Sequence, residues 1–211
     1  MTSGTAPSGT EPQGLPGRPV QLQGSRLAAA VLRLGGWHVH FDGLPALQGV
    51  MVVYPHTSNW DFILGVLSKW AIGLPVAFWG KDTLFRWPLF GRWLRSMGGI
   101  PVVRHAPGAV VDDTAAALVA AREQGRLMWL ALAPEGTRRL TEGWRSGFYR
   151  VAVQAGVPLG VVALDFRRRE VRFQHFFQLS GQPEADLAAI AAVLQGSHGK
   201  RPELASPVRL R

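Results

Sequence analysis

The chain has 211 residues, of which 47% are hydrophobic and 18% are charged, so it can bury one sizeable core. It contains no cysteine, which excludes disulfides, thiolate metal sites and a cysteine nucleophile. Its formal net charge of +9 favours an anionic partner, such as a phosphate ester, an acidic protein, nucleic acid or anionic lipid, and does not by itself distinguish among them.

The N-terminal residues 1–24 are rich in Gly, Pro, Ser and Thr, and this composition predicts a disordered tail. Residues 25–34 (SRLAAAVLRL) then show a helical pattern, with Ser25 as its N-cap and Gly35 at its end. This helix could pack on the domain or lie on a lipid surface.

The rest of the chain alternates apolar strand patterns with helical patterns. Predicted strands lie at 50–54, 75–79, 127–132, 157–166 and 171–177, and predicted helices at 58–72, 112–124, 147–155 and 184–194. Such alternation predicts a single α/β domain over residues 25–194, with a mixed sheet flanked by helices. Residues 195–211 are predicted to be a polar tail.

His56 and Asp61 stand where the first long strand gives way to a helix. The chain can fold back there so that the carboxylate reaches the imidazole. A neutral histidine held at one ring nitrogen by a carboxylate can act as a general base through the other. The spacing alone is weak, because a turn histidine and a helix-start aspartate often have no joint role.

Charged residues follow several other predicted strands, where α/β sheets bind their ligands. Arg104 and Arg138 each follow a hydrophobic run, which favours an anionic partner, although both could simply be solvated. Gly136 allows a tight turn that brings backbone amides close to a ligand, and Glu135 can orient an arginine or cap a helix. A simple turn is the alternative for these two residues.

A basic, aromatic segment at 80–95 interleaves Trp87 and Trp93 with arginines. This composition is typical of an element at a membrane interface, and equally of a helix with a packed aromatic face and a solvated basic face. No run reaches the roughly 18 apolar residues that a bilayer span requires, and no secretory signal is evident. We therefore expect a cytoplasmic protein, peripheral on the cytoplasmic face of the membrane.

Four motifs occur in a fixed order: HTSNWD at 56–61, GIPVVR at 99–104, PEGTR at 134–138 and VPLGVV at 157–162. Together they resemble the four blocks of the glycerolipid acyltransferases, the lysophosphatidic acid acyltransferase or PlsC-like family. The resemblance implies transfer of a fatty acyl group from acyl-CoA or acyl-carrier protein to a lysophospholipid hydroxyl. The leading acceptor is 1-acylglycerol 3-phosphate, which would give phosphatidic acid.

By the same resemblance, His56 matches the general base and Asp61 the carboxylate that orients it. The residues that match the blocks holding the acceptor are Arg104, Glu135, Gly136, Thr137 and Arg138, with Arg138 on the phosphate. Lys81, which precedes the second block, is carried over from the resemblance as a further substrate-binding residue. The resemblance implies no metal and no cofactor beyond the acyl donor.

Three alternatives stay open at this point. The acceptor could be another lysolipid or a lipid-like alcohol, or water could replace it in a hydrolysis. The chain could also be a non-catalytic module for anionic lipid or nucleic acid, although no nucleic-acid recognition motif is present, and we expect no nucleic-acid partner.

Overall fold

The computed structural model describes residues 12–102 and 107–211. Its strands β1 to β8 are Gln13–Gly14, His38–His40, Gln48–Tyr54, Val76–Lys81, Gly99–Val102, Met128–Leu132, Leu159–Asp165 and Glu170–Gln178. Its helices α1 to α6 are Arg26–Leu34, Trp60–Ile72, Pro88–Ser96, Pro107–Glu123, Gly147–Ala155 and Pro183–Leu194. Short 3-10 helices lie at Asp82–Arg86 and Pro202–Leu204.

All eight strands belong to one sheet, in which neighbours run β1-β8-β7-β3-β6-β4-β5 and β2 also pairs with β8. Strands β3, β4, β5, β6 and β7 are parallel to their neighbours within this group, whereas β8 is antiparallel to β7. The structure therefore confirms the predicted α/β class and the mixed sheet. Because β3 lies between β6 and β7, the carboxyl ends of these three strands meet at one edge of the sheet.

The sheet is covered on both faces because side chains alternate along its strands. Val50 and Val52 of β3 face a core formed with α4, α5 and α6. Met51, between them, belongs to a second core that includes Ile72 of α2. Helix α1 packs on α2. In the described ranges, no helix is both long and apolar enough to cross a bilayer.

The helix boundaries follow the local signals in the sequence. The Ser25 hydroxyl accepts a hydrogen bond from the Ala28 amide at 3.3 Å, which confirms the predicted N-cap of α1. Helices α2 and α5 end at Gly73 and Gly156, whose φ angles of 76° and 61° suit glycine. Helix α4 begins earlier than predicted, at Pro107, because proline is well suited to a first helical turn.

Both ends of the described chain differ from the predicted tails. Strand β1 pairs with β8, and Leu15, Val20 and Leu22 pack against the second core, so residues 12–24 have a fixed place in the domain. At the other end, the amide of Ser206 donates to Glu135 Oε1 at 2.8 Å. Residues of the predicted polar tail at 195–211 thus pack against the edge of the sheet that carries the sequence motifs.

Candidate active site

The first motif forms the turn between β3 and α2. His56 follows the end of β3 by two residues, and Asp61 lies in the first turn of α2. His56 Nδ1 is 3.4 Å from Asp61 Oδ2. The turn therefore brings the imidazole and the carboxylate together, which is the geometry that the sequence predicts.

Asp61 is almost fully buried, and its carboxylate organises the whole turn. Its Oδ2 accepts hydrogen bonds from the amides of Thr57 at 2.6 Å and Ser58 at 2.7 Å. Its Oδ1 accepts one from the Ser58 hydroxyl at 2.8 Å. Burial alone would raise the pKa of Asp61, but the contact with His56 and the hydrogen bonds from Ser58 outweigh it and hold the pKa below its ordinary value.

Glu135, in the third motif, is fully buried at the carboxyl end of β6. Its Oε2 accepts a hydrogen bond from the His56 amide at 2.6 Å, and its Oε1 accepts one from the Ser206 amide. Burial raises the pKa of Glu135, and the backbone hydrogen bonds from Ser206 and His56 offset part of that shift. Both carboxylate oxygens of this predicted substrate-binding residue therefore accept hydrogen bonds from backbone amides, and the carboxylate fixes the position of His56.

The rest of the third motif lines an open cleft of about 690 Å³ next to His56. Gly136 has a φ of 66°, a left-handed conformation that favours glycine. Arg138 Nε donates to the Ser58 carbonyl at 3.2 Å, which joins the third motif to the first. Thr137 lines the same cleft.

The two remaining predicted substrate-binding residues are Lys81 and Arg104. Lys81 is the last residue of β4, is exposed and lines the cleft. Arg104 lies outside the described residues. The structure therefore places four of the predicted substrate-binding residues around the cleft beside His56: Lys81, Gly136, Thr137 and Arg138.

A second, apolar cavity of about 180 Å³ lies between α2 and the sheet. Its walls include Met51, Val66 and Leu164, and His56 lines both this cavity and the cleft. Phe62 also borders both spaces. The imidazole thus stands at the junction of an apolar cavity and a cleft with basic residues.

Two residues at these cavities belong to none of the four motifs and were not predicted from the sequence. Arg145 adds a third basic side chain to the cleft. Lys69 lines the apolar cavity, is 8% exposed and donates to the Met97 carbonyl at 2.6 Å, and burial lowers its pKa. Among the described residues, no cluster of three or more His, Asp or Glu side chains could hold a metal ion.

The class of protein follows from the fold together with a family comparison. Residues 37–164, more than half of the chain, match the family described as Acyltransferase. The chain therefore belongs to the acyltransferase family, which confirms the family assignment made from the four motifs.

A solved structure shows the same fold. The crystal structure of the 1-acyl-sn-glycerophosphate (LPA) acyltransferase PlsC from Thermotoga maritima aligns with a TM-score of 0.51 and 18% sequence identity. The alignment covers 80% of this chain and 73% of that one. A comparison with curated protein sequences finds none that matches.

Proposed function

We propose that this protein transfers a fatty acyl group from an acyl thioester to the hydroxyl of a lysophospholipid, with 1-acylglycerol 3-phosphate as the leading acceptor. One observation carries the proposal: His56, backed by Asp61, lies where the apolar cavity meets the basic cleft. Such a place suits a reaction that joins an apolar acyl chain to a phosphorylated alcohol.

The reaction needs a base for the acceptor hydroxyl. With the Nδ1 proton of His56 directed to Asp61, Nε2 is free to take the proton of the acceptor hydroxyl. The acceptor oxygen attacks the thioester carbonyl carbon, the tetrahedral intermediate collapses, and the carbon–sulfur bond breaks. The imidazolium then returns its proton to the leaving sulfur. A thioester is already activated, so a base and correct positioning of the two substrates supply the catalysis.

The two spaces beside His56 suit the two substrates. The apolar cavity offers a place for a fatty acyl chain. In the cleft, Lys81, Arg138 and Arg145 can attract the phosphate of the acceptor. We assign Arg138 to that phosphate because its side chain is anchored to the turn that carries His56.

A surface next to the cleft supports attachment to a membrane. On α3 and the residue before it, Trp87 and Leu89 are 70% and 84% exposed, and Arg92 beside them is exposed as well. Phe90 of the same helix lines the cleft, so the apolar surface continues to the cleft. Near an anionic leaflet each basic residue adds about 1 kcal/mol.

Membrane attachment is tested with vesicles. Wild-type protein should co-sediment with vesicles that contain anionic lipid, and replacing Trp87 and Leu89 by serine should weaken this at least several-fold. Equal sedimentation of both proteins would show that this surface does not bind the membrane.

The catalytic proposal is tested by acyl transfer from acyl-CoA and acyl-carrier protein to lysophosphatidic acid. His56→Ala should lower turnover by about 10²–10⁴-fold, the usual effect of losing a general base. His38→Ala, at an exposed histidine on β2, is the matched control and should retain wild-type turnover. Full activity of His56→Ala would refute the mechanism. Lipid binding without transfer in the wild type would indicate a binding module.

A further inference from the structure

A separate basic pocket of about 440 Å³ lies beside the turn that carries His56. Its lining contains no carboxylate and four cationic side chains, which are Arg138, Arg139, Lys200 and Arg201. Within residues 12–102 and 107–211, none of the four forms an ion pair. Like charges gathered without a counter-charge repel one another, so this pocket favours a ligand with several negative charges.

An aromatic pocket adjoins the basic one. This space, about 370 Å³ in volume, shares Trp60 and Lys200 with the basic pocket and is also lined by Trp37 and Phe166. The Trp60 side chain is 52% exposed, and Lys200 Nζ lies 4.6 Å from the centre of its ring. An exposed indole ring beside cations is a setting in which a flat nucleobase can stack while its phosphates are neutralised.

Backbone contacts fix the cations from the C-terminal segment in place. The Arg201 amide donates to the Thr57 hydroxyl at 3.2 Å. At Gly199 the chain approaches the same threonine so closely that an added Cβ would lie 2.6 Å from Thr57 Oγ1. Lys200, between these two contacts, is therefore held against the residue that follows His56.

The basic pocket also adjoins the cleft. Asn59 and Arg138 line both spaces. A ligand bound at one end in the basic pocket therefore lies next to the cleft that His56 lines.

We infer that the basic and aromatic pockets bind the nucleotide end of a CoA thioester. Its phosphate monoester and pyrophosphate would contact Arg139, Lys200 and Arg201, and its adenine would stack on Trp60. The inference rests on the proposed acyl transfer and names its donor. The arm of a carrier protein offers a single phosphodiester and no purine, so it would leave the aromatic pocket empty.

Direct binding tests the pocket without any need for turnover. Adenosine 3′,5′-bisphosphate, which carries the adenine, the 3′-phosphate and the first 5′-phosphate of CoA, is titrated by calorimetry into wild type, the double variant Lys200→Ala/Arg201→Ala, and Trp60→Ala. We expect each variant to bind it about 10-fold more weakly or worse, because each loses charge-assisted hydrogen bonds or base stacking. Arg150→Ala, at an exposed arginine of α5 outside the pocket, should bind as the wild type does. No binding to the wild type, or equal binding by all variants, would overturn the inference.

Kinetics then separate the donor from the acceptor. The double variant should raise the KM for acyl-CoA about 10-fold, leave the KM for lysophosphatidic acid unchanged, and use acyl-pantetheine, which lacks the nucleotide, as well as the wild type does. A raised KM for lysophosphatidic acid alone would assign the pocket to the acceptor phosphate and overturn the inference. Preference of the wild type for acyl-carrier protein over acyl-CoA would do the same.

The two proposals can fail separately. His56→Ala should bind the bisphosphate like the wild type, because His56 does not line the basic pocket. Bisphosphate binding that depends on Lys200 and Arg201, in a wild type without acyl transfer, would support the pocket while refuting the proposed reaction. Acyl transfer without bisphosphate binding would support the reaction and refute the pocket.

Discussion

Replacing Asp61 by asparagine separates the charge of this residue from its shape. The asparagine oxygen can still accept from the amides of Thr57 and Ser58, and its amide group can donate to the Ser58 hydroxyl. What is lost is the charge on a carboxylate that accepts two short backbone hydrogen bonds. A hydrogen bond to a charged group is worth about 1.5–3 kcal/mol and a neutral one about 0.5–1.5, so the change should cost roughly 1–3 kcal/mol of unfolding free energy.

The effect of this change should depend on pH in a defined direction. The pKa of Asp61 in the folded protein lies below its ordinary value. Its carboxylate therefore stabilises the fold above that ordinary value, and the contribution is lost as the pH falls through the lower, folded pKa. Asp61→Asn carries no such dependence. The difference between wild type and variant should be full at neutral pH and shrink in strong acid.

Urea unfolding at neutral pH and at several acid pH values measures this difference, and turnover is measured on the same samples. Turnover should fall by up to about 10⁴-fold, as when an orienting aspartate is lost from a Ser-His-Asp site. Asp113→Asn, at an exposed aspartate of α4, is the matched control and should change neither quantity. Unchanged turnover in Asp61→Asn would refute the orienting role. A stability loss of the same size at every pH would refute the assignment to charge.

Two further predictions concern the neighbours of this turn. Glu135→Ala leaves the amides of His56 and Ser206 without their acceptor. At about 1–3 kcal/mol for each buried donor, this change should lower the unfolding free energy by roughly 2–5 kcal/mol. Urea unfolding beside the exposed control Glu123→Gln measures the loss, and a loss of only a few tenths of a kcal/mol would contradict the prediction. Gly65 lines the apolar cavity, and a Cβ there meets no atom within 4 Å, so the side chain introduced by Gly65→Leu should project into the cavity and shorten the space for the acyl chain. Competition between short and long acyl donors should then favour the short one about 10-fold or more, and an unchanged preference would show that the chain lies elsewhere.

The sequence predicted those parts of the structure that depend on neighbouring residues. The serine cap of α1 and the glycine ends of α2 and α5 follow from turn chemistry over a few residues. The contact of His56 with Asp61 depends on one strand, one turn and the first turn of one helix, and it too was predicted. Strand order was not, because β3 lies between β6 and β7 only after distant segments have assembled.

The hydrogen bonds of Glu135 were not predicted from the sequence, because its partners are distant along the chain. Its two hydrogen-bond donors, the amides of His56 and Ser206, lie 79 and 71 residues away along the chain. No local sequence pattern predicts such contacts, and a glutamate beside glycine and arginine is equally typical of a ligand-binding residue. The same holds for Lys69, which is buried in the tertiary structure although lysine is rarely buried.

The two buried carboxylates divide the task of holding His56. Glu135 accepts a hydrogen bond from the backbone amide of His56 and so fixes the position of its backbone. Asp61 contacts the ring of His56 and so fixes the orientation of the imidazole. The pKa of Asp61 is lowered and that of Glu135 is raised, so the carboxylate beside the ring is the one whose charge the fold favours. A negative charge beside Nδ1 stabilises the imidazolium that forms when Nε2 takes a proton. The turn is therefore arranged so that the favoured charge lies where the proposed reaction develops its positive charge.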